Sequence, residues 1–260
     1  MTMKIENYSG TASTFTWANN PKTFDDALSS NHTITNIPYQ RYHIFVSGGG
    51  TPPKKIVLTG EFHGTSKNTY YNTLSGHFME TTKLKKLYFD SDKFYLGIGK
   101  DIKKTYTGGR TNFLDYVATF ETIVGVLFSN SQLTHTDGGA EVTNAGNVNT
   151  FIEEIAGAVT SGAADIVLTD TIGNQLKIPS GSLTTGQAVV VSFIKMVDSG
   201  DGVYVSEYNY TTVAGSQVKT TQTGTGLGIL QLGPSRTTAD ITVSNLDAGY
   251  TIKLRSAYSS

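Results

Sequence analysis

From Phe151 to the end of the chain, short runs of β-branched or alternating residues recur with short gaps. They are Phe151–Ile155, Asp165–Thr169, Gln175–Ile178, Ala188–Ile194, Val203–Tyr208, Val218–Thr221, Leu227–Leu232, Ala239–Val243 and Tyr250–Leu254. Between them stand Gly162, Gly173-Asn174, Gly181, Gly186, Gly200-Asp201-Gly202, Gly215, Gly233-Pro234 and Gly249. Glycine and asparagine tolerate the dihedrals of tight reversals, so each gap reads as a turn. Many short strands joined by turns predict an antiparallel β-sandwich of jelly-roll or lectin type. No helix is expected in this half, and no repeat of solenoid period is present.

This pattern begins at Thr143-Asn144-Ala145-Gly146-Asn147-Val148-Asn149. Before it the chain is charged and aromatic and carries all five histidines. After it the chain is poor in charge and rich in Thr, Gly and Val. The segment is read as a sharp change of direction and as the seam between two domains, 1–143 and 144–260. The first holds 14 Lys/Arg against 12 Asp/Glu, a net +2; the second holds 6 against 9, a net −3. Over all 260 residues the net charge is −1, which excludes a chain that binds nucleic acid by overall electrostatics. Only 16% of residues are charged, below the roughly 25% of an average globular chain. That composition suits β-rich, turn-rich proteins of extracellular or virion surfaces. There are no cysteines, so disulfides, thiolate nucleophiles and Cys-based zinc sites are excluded. Stability outside a cell then has to come from elsewhere, such as oligomerisation. No signal peptide is read at the N-terminus, and no run reaches the roughly 18 apolar residues of a membrane span. The expectation is synthesis in a cytosol without membrane insertion.

In the first half, residues 1–20 read as an arm anchored by Ile5, Tyr8, Phe15 and Trp17. It is either an edge strand on its own domain or a segment buried against a neighbouring subunit. Residues 32–47 alternate polar and apolar, Gly48–Pro53 is a loop, and Lys55–Phe62 is a strand. Ser66–Thr82 is the clearest helix, with Ser66 as its cap and Tyr70, Leu74 and Phe78 on one apolar face, Tyr71 and Met79 beside them. Gly76 weakens it by about 1 kcal/mol relative to Ala. A β meander follows: Lys86–Phe89, a turn at Asp90-Ser91-Asp92, Lys93–Ile98, and a long strand from Phe113 to near Phe128.

A search for chemistry finds little. Lys83, Lys85, Lys86, Lys93, Lys100, Lys103, Lys104 and Arg110, interleaved with Tyr88, Phe94 and Tyr95, form a basic stretch. Such a stretch can grip phosphates and stack bases; the plainer reading is lysines lining the solvent side of strands and guarding edges. His32, His43, His63, His77 and His135 fit neither a helical HExxH pair nor a zinc finger. Gly224-Thr225-Gly226-Leu227-Gly228 lacks the loop-to-helix context of a phosphate cradle and reads as a β turn. Asp198, Asp201 and Glu207 are too few and too irregularly spaced for a defined calcium loop. Glu153 and Glu154 point to opposite faces if they lie on a strand, which argues against a paired-carboxylate site. The sequons at Asn7, Asn31 and Asn209 read as chance matches. No catalytic, cofactor-binding or metal-ligating residue is assigned.

Several short motifs, in their order and spacing, resemble the phage distal tail protein family of siphoviruses. Lys54–Phe62 resembles the family's basic-apolar strand before its helix, and Leu84–Asp90 the strand after it. Thr143–Asn147 resembles the asparagine-glycine opening of the family's galectin-like domain. Asp165–Asp170 with Gly173–Ile178 resembles the hairpin that follows. Leu230–Pro234, Ile241–Val243 and Tyr250–Arg255 resemble its closing strands. Together these span nearly the whole chain. Two departures stand out: Phe151-Ile152 occupies the place where the family often has a proline, and the second domain has no long insertion.

The resemblance implies a mainly β fold. Its first part would be a tail-tube-like β-sandwich or barrel with one helix that forms a ring, and its second a galectin-like antiparallel β-sandwich. It implies a structural virion protein at the tail tip, not an enzyme. Six copies would close a hub through which DNA passes as cargo. Its partners would be the tail-tube protein, tail-tip and tape-measure-associated proteins, and receptor-binding proteins. The alternative is a lectin or adhesin module that binds glycan itself, with Tyr204, Tyr208 and Tyr210 sharing one strand face. A cell-wall hydrolase is the third class, and no assembled acid/base or nucleophile set supports it.

Overall fold

The computed structural model describes residues 3–8, 13–25, 53–80, 84–106, 111–170, 173–192, 209–211, 217–219, 221–224 and 230–259. The fold is mainly β, with antiparallel sheets and one α-helix among the described residues. These residues pack as two compact units that divide between Leu127 and Phe128.

In the first unit the strands are β1 (Lys4–Asn7), β2 (Thr14–Thr16), β3 (Thr23–Asp25) and β4 (Lys55–His63). Helix α1 (Lys67–Met79) follows, then β5 (Lys85–Tyr88), β6 (Lys93–Thr105) and β7 (Phe113–Ser129), of which the residues up to Leu127 belong here. They form one sheet in the order β2-β1-β5-β6-β7-β4-β3. β4 alternates as its sequence predicts, with Ile56, Leu58 and Phe62 buried. Its register sets Ile56 against Phe120, Leu58 against Ala118, Gly60 against Tyr116 and Phe62 against Leu114. Facing apolar pairs of this kind are what hold two strands on one core face.

Gly60 has a specific role in that row. A Cβ there would lie 2.5 Å from Tyr116 Oη and 2.7 Å from its Cζ, so only glycine leaves room for the ring. Tyr116 stacks on Phe62 with centroids 4.8 Å apart, and its hydroxyl accepts the Trp17 indole N–H at 2.8 Å. Trp17 is fully buried beside Phe15. The arm therefore packs on its own unit: β1 pairs with β2 and β5, and Ile5, Phe15 and Trp17 enter the core with Leu87 and Tyr95.

Helix α1 is shorter than the predicted 66–82, and two details differ. Ser66 makes no side-chain cap, because its backbone is not in the extended conformation a capping residue adopts. The buried face is Leu74, His77 and Phe78, while Tyr70 is 41% exposed. The four-residue spacing drifts around the helix, so Tyr70 sits at the edge of the buried stripe, its ring tilted against Phe62 at 5.9 Å between centroids. The predicted Asp90 turn is present: Asp90 Oδ1 accepts the Asp92 and Lys93 amides at 2.9 and 2.8 Å. The alternating run at 32–47 and most of the Gly48–Pro53 loop lie outside the described residues.

The second unit contains β8 (Leu133–Thr136), β9 (Thr150–Ala158), β10 (Ile166–Thr169), β11 (Asn174–Ile178) and β12 (Ala188–Ser192). It continues with β13 (Asn209–Thr211), β14 (Gln217–Lys219), β15 (Thr221–Gly224), β16 (Gln231–Leu232), β17 (Thr242–Ser244), β18 (Thr251–Leu254) and β19 (Ala257–Ser259). One sheet runs β15-β11-β10-β17; the other runs β14-β13-β12-β9-β18-β8, with β16 also on β9. Each buries alternate residues: Ile166, Leu168, Leu176 and Ile178 in the first, Ile155, Val189, Val191, Ile252 and Leu254 in the second. The predicted strand from Ala239 begins late. Thr238–Asp240 is a 3-10 turn, tightened by Asp240 Oδ2 accepting the Thr237 amide at 3.2 Å. The predicted strand Val203–Tyr208 lies outside the described residues.

The Thr143–Asn149 segment lies inside this unit, and β8, which precedes it, pairs with β18. Asn144 is fully buried. Its Nδ2 donates to the carbonyls of Val148, Leu232 and Gly233 at 2.9, 3.1 and 3.2 Å. Its Oδ1 accepts the amides of Gly146 and Ala257 at 3.1 and 3.3 Å. No residue of the segment has positive φ. Gly146 is needed for space instead, since a Cβ there would overlap the Ala257 carbonyl oxygen.

Candidate functional site

Within the first unit the basic stretch does not form one face. Lys85 is completely buried at the start of β5. Its ammonium donates to Asn7 Oδ1 at 2.5 Å and pairs with the Glu80 carboxylate. Lys86 pairs with Glu6 at 3.7 Å and sits over the Tyr8 and Phe94 rings. Lys100 binds Glu121 at 2.7 Å, and Lys104 lies over Tyr71 and Tyr106. Tyr88, Phe94 and Tyr95 are all buried, so they offer no ring face to a base. Alternation explains this: consecutive lysines on β5 and β6 leave on opposite faces of the sheet. Lys83 and Arg110 lie outside the described residues.

Glu6 gathers the charges at this end of the sheet. It accepts the Tyr88 hydroxyl at 2.7 Å and the Lys4 ammonium at 3.1 Å. Burial pushes its carboxyl up, but the Tyr88 bond and the neighbouring Lys4 and Lys86 charges outweigh that, so its pKa lies below the ordinary value. Tyr116 is pushed up to about 12 by burial, against the opposing effect of the Trp17 bond.

The three described histidines are not brought together as a metal site. His63 meets Asn19 at 2.8 Å and lies edge-on to Phe113. His77 is buried under α1 beside Ser13. His135 belongs to the second unit, where its Nδ1 meets the Ala140 carbonyl at 3.1 Å. No group of three potential metal ligands occurs among the described residues. His32 and His43 lie outside them, as do Asp198, Asp201, Glu207 and Tyr204 and Tyr208. Gly224 ends strand β15 opposite Asn174, and the rest of that glycine run lies outside the described residues.

Glu153 and Glu154 lie on β9 and go to different partners. Glu153 is buried with Arg255 Nε at 2.9 Å and Gln132 Nε2 at 2.6 Å. Glu154 binds Lys253 at 2.7 Å. One polar centre gave no sequence signal beyond its hairpin. Asp170 is buried between β10 and β11 and accepts the Asn174 amide and Asn174 Nδ2 at 2.9 and 2.7 Å, and the Gln231 amide at 2.9 Å. It ties β16 to the β10–β11 hairpin, a structural use of a carboxylate. The carboxylates named here are committed to ion pairs and hydrogen bonds that hold strands, which suits a scaffold. No helix among the described residues is long and apolar enough to cross a membrane.

No protein-family model and no curated protein sequence matches the chain. Among solved structures it is similar to the SPP1 Dit (gp 19.1) protein, described as a paradigm of the hub adsorption apparatus in phages that infect Gram-positive hosts, with 14% identity over 79% of each chain and a TM-score of 0.38. It is also similar to the phage P2 baseplate in its activated conformation with Ca, with 12% identity over 97% of each chain and a TM-score of 0.44. A third likeness is to the phage p2 baseplate with Sr, at 9% identity over 97% of each chain and a TM-score of 0.45. At these identities and scores the likenesses are weak.

Proposed function

We propose that this chain is a structural virion protein, a hub at the distal end of a phage tail. The observation that carries the reading is where the family-like motifs fall in the fold. Lys54–Phe62 covers β4, α1 comes next, and Leu84–Asp90 covers β5. In the second unit, Asp165–Asp170 and Gly173–Ile178 form the antiparallel β10–β11 pair, and the three closing motifs fall on β16, β17 and β18. The order strand, helix, strand, then an all-β unit follows the order of the resemblance.

On this reading the first unit forms a closed ring of six copies that continues the tail-tube channel, with DNA as passing cargo. The second unit is the galectin-like part and faces outward to carry receptor-binding proteins. The tail-tube protein and the tail-tip and tape-measure-associated proteins are its other neighbours, the virion tail tip is its location, and it catalyses nothing. A ring of this kind repeats one heterologous contact until it closes. Interfaces of roughly 2,000 Å² or more per contact would supply the stability that a cysteine-free chain cannot draw from disulfides.

The test is the mass of the purified chain in solution, with electron microscopy of the same sample. A mass of six chains and a closed ring are expected. A monomer at every concentration, together with selective binding on a glycan array, would reject the hub in favour of the lectin reading.

A further inference from the structure

We propose that His77 is an acid-sensitive latch: protonation adds a second cation beside the buried Lys85 and releases the β1–β2 hairpin from the end of α1. The latch draws on four elements. His77 is in the last turn of α1 and is buried. Its Nε2 lies 3.4 Å from Ser13 Oγ, just ahead of β2. Its Nδ1 is buried and has no hydrogen-bond partner among the described residues. Lys85 of β5 is fully buried, held by Asn7 of β1 and by Glu80 just after α1.

A neutral imidazole needs one donor and one acceptor, and the Ser13 hydroxyl satisfies either role at Nε2. An imidazolium has two N–H donors and needs two acceptors. Among the described residues the Ser13 hydroxyl is the hydrogen-bond partner of the ring. The charged groups facing His77 are Lys85 and Glu80. β1 and the start of β2 present neutral Asn7 and Ser13. Of the other strands packed on α1, β6 carries Lys93, Lys100 bound to Glu121, Asp101, Lys103 and Lys104 over Tyr71, and β4 carries Lys55, Glu61 bound to Lys22 at 2.5 Å, and His63. Glu80 is the acid that acts on the ring, and it is also paired with Lys85.

Two influences favour the charged ring: Glu80 and the helix C-terminus, where the backbone dipole attracts cations. Burial, the largest effect, and Lys85 oppose them and prevail, holding His77 below the ordinary histidine value. The sign follows. An opened site takes up the proton first as the pH falls through about 6.5, so the closed site is fully favoured above that pH and loses its advantage below it. The bonds that the opening loosens are Asn7 N to Ser13 O, Tyr8 N to Leu84 O and Trp17 N to Met3 O, which hold β1 and β2 in the closed site.

The experiment is hydrogen exchange of the full chain by mass spectrometry from pH 7.5 to 5.0, corrected for the intrinsic pH dependence of exchange. Peptides covering residues 3–17 and 74–80 are expected to lose protection several-fold as the pH falls, while β4 and β7 keep theirs. In H77Q, which keeps one donor and one acceptor but cannot ionise, the profile is expected to be flat. Equal loss in H77Q, or no loss in the natural chain, overturns the proposal. If H77Q does not fold, NMR titration of the His77 ring in the natural chain decides: titration at or above the ordinary histidine value also overturns it.

Discussion

Replacing Gly60 by alanine should unseat the Trp17–Tyr116–Phe62 stack. The new methyl would lie 2.5 Å from Tyr116 Oη, 2.7 Å from Cζ and 2.8 Å from Cε1, so the ring has to move. Overpacking of this sort costs about 1–3 kcal/mol. Displacing the hydroxyl also strands the buried Trp17 N–H, at about 1–3 kcal/mol. Against this, alanine in a strand is favoured over glycine by roughly 0.5–1 kcal/mol. The net expectation is a loss of about 1–5 kcal/mol, obtained by combining those ranges. Urea unfolding followed by tryptophan emission reads it directly, because Trp17 is the only tryptophan and is fully buried. Tyr116→Phe should cost less alone, and the double variant less than the sum, since the two changes disturb the same hydroxyl. A Gly60→Ala chain within about 0.5 kcal/mol of the natural one, the range of an ordinary surface change, would refute the role given to Gly60.

Three further outcomes are expected. Asn144→Asp keeps the shape but turns a donor facing three carbonyls into an acceptor, and should destabilise the second unit by about 3 kcal/mol or more, seen as a lower circular-dichroism melting temperature. Gly76→Ala has open space around its new methyl on the exposed side of α1 and should stabilise the first unit by about 1 kcal/mol in the same urea assay. Tyr116 titrates near 12 when folded and near 10 when unfolded; its raised value means that its contribution is intact below pH 10 and is lost as the pH rises towards 12, a loss that Tyr116→Phe should remove in an alkaline unfolding series.

Periodicity made much of this fold legible. β4, β10, β11 and β18 were placed within a residue or two because each alternates and is bounded by turn residues. The core position of Trp17 is not legible in the sequence, because an arm's partner is set by a strand far along the chain. Helix α1 was visible, but its cap and its Tyr70 face were not. Both depend on backbone geometry and on the angle at which the helix lies on β6. The Thr143–Asn149 segment was visible through its asparagines and glycine, yet for a different reason from the one read. Asn144 is there as a buried donor and acceptor, and Gly146 for close approach. In the basic stretch the plainer reading, lysines on the solvent side of strands, holds at Lys100, Lys103 and Lys104 but not at Lys85, which points inward, and the aromatic rings between the lysines are core. A linear count of charge cannot see which face a residue takes.

The bonds of Asn144 also carry a consequence for how the chain is made. Ala257 is 113 residues downstream of Asn144, and the Asn147–Ser259 contact spans 112. Contacts this distant along the chain slow the search for the native state, because the loop has to close before any bond forms. A nascent chain halted before Thr251 lacks both β18 and β19, so β9 is missing a neighbour and Asn144 is missing a ligand. The second unit is therefore expected to reach its native packing only once that stretch is free of the ribosome.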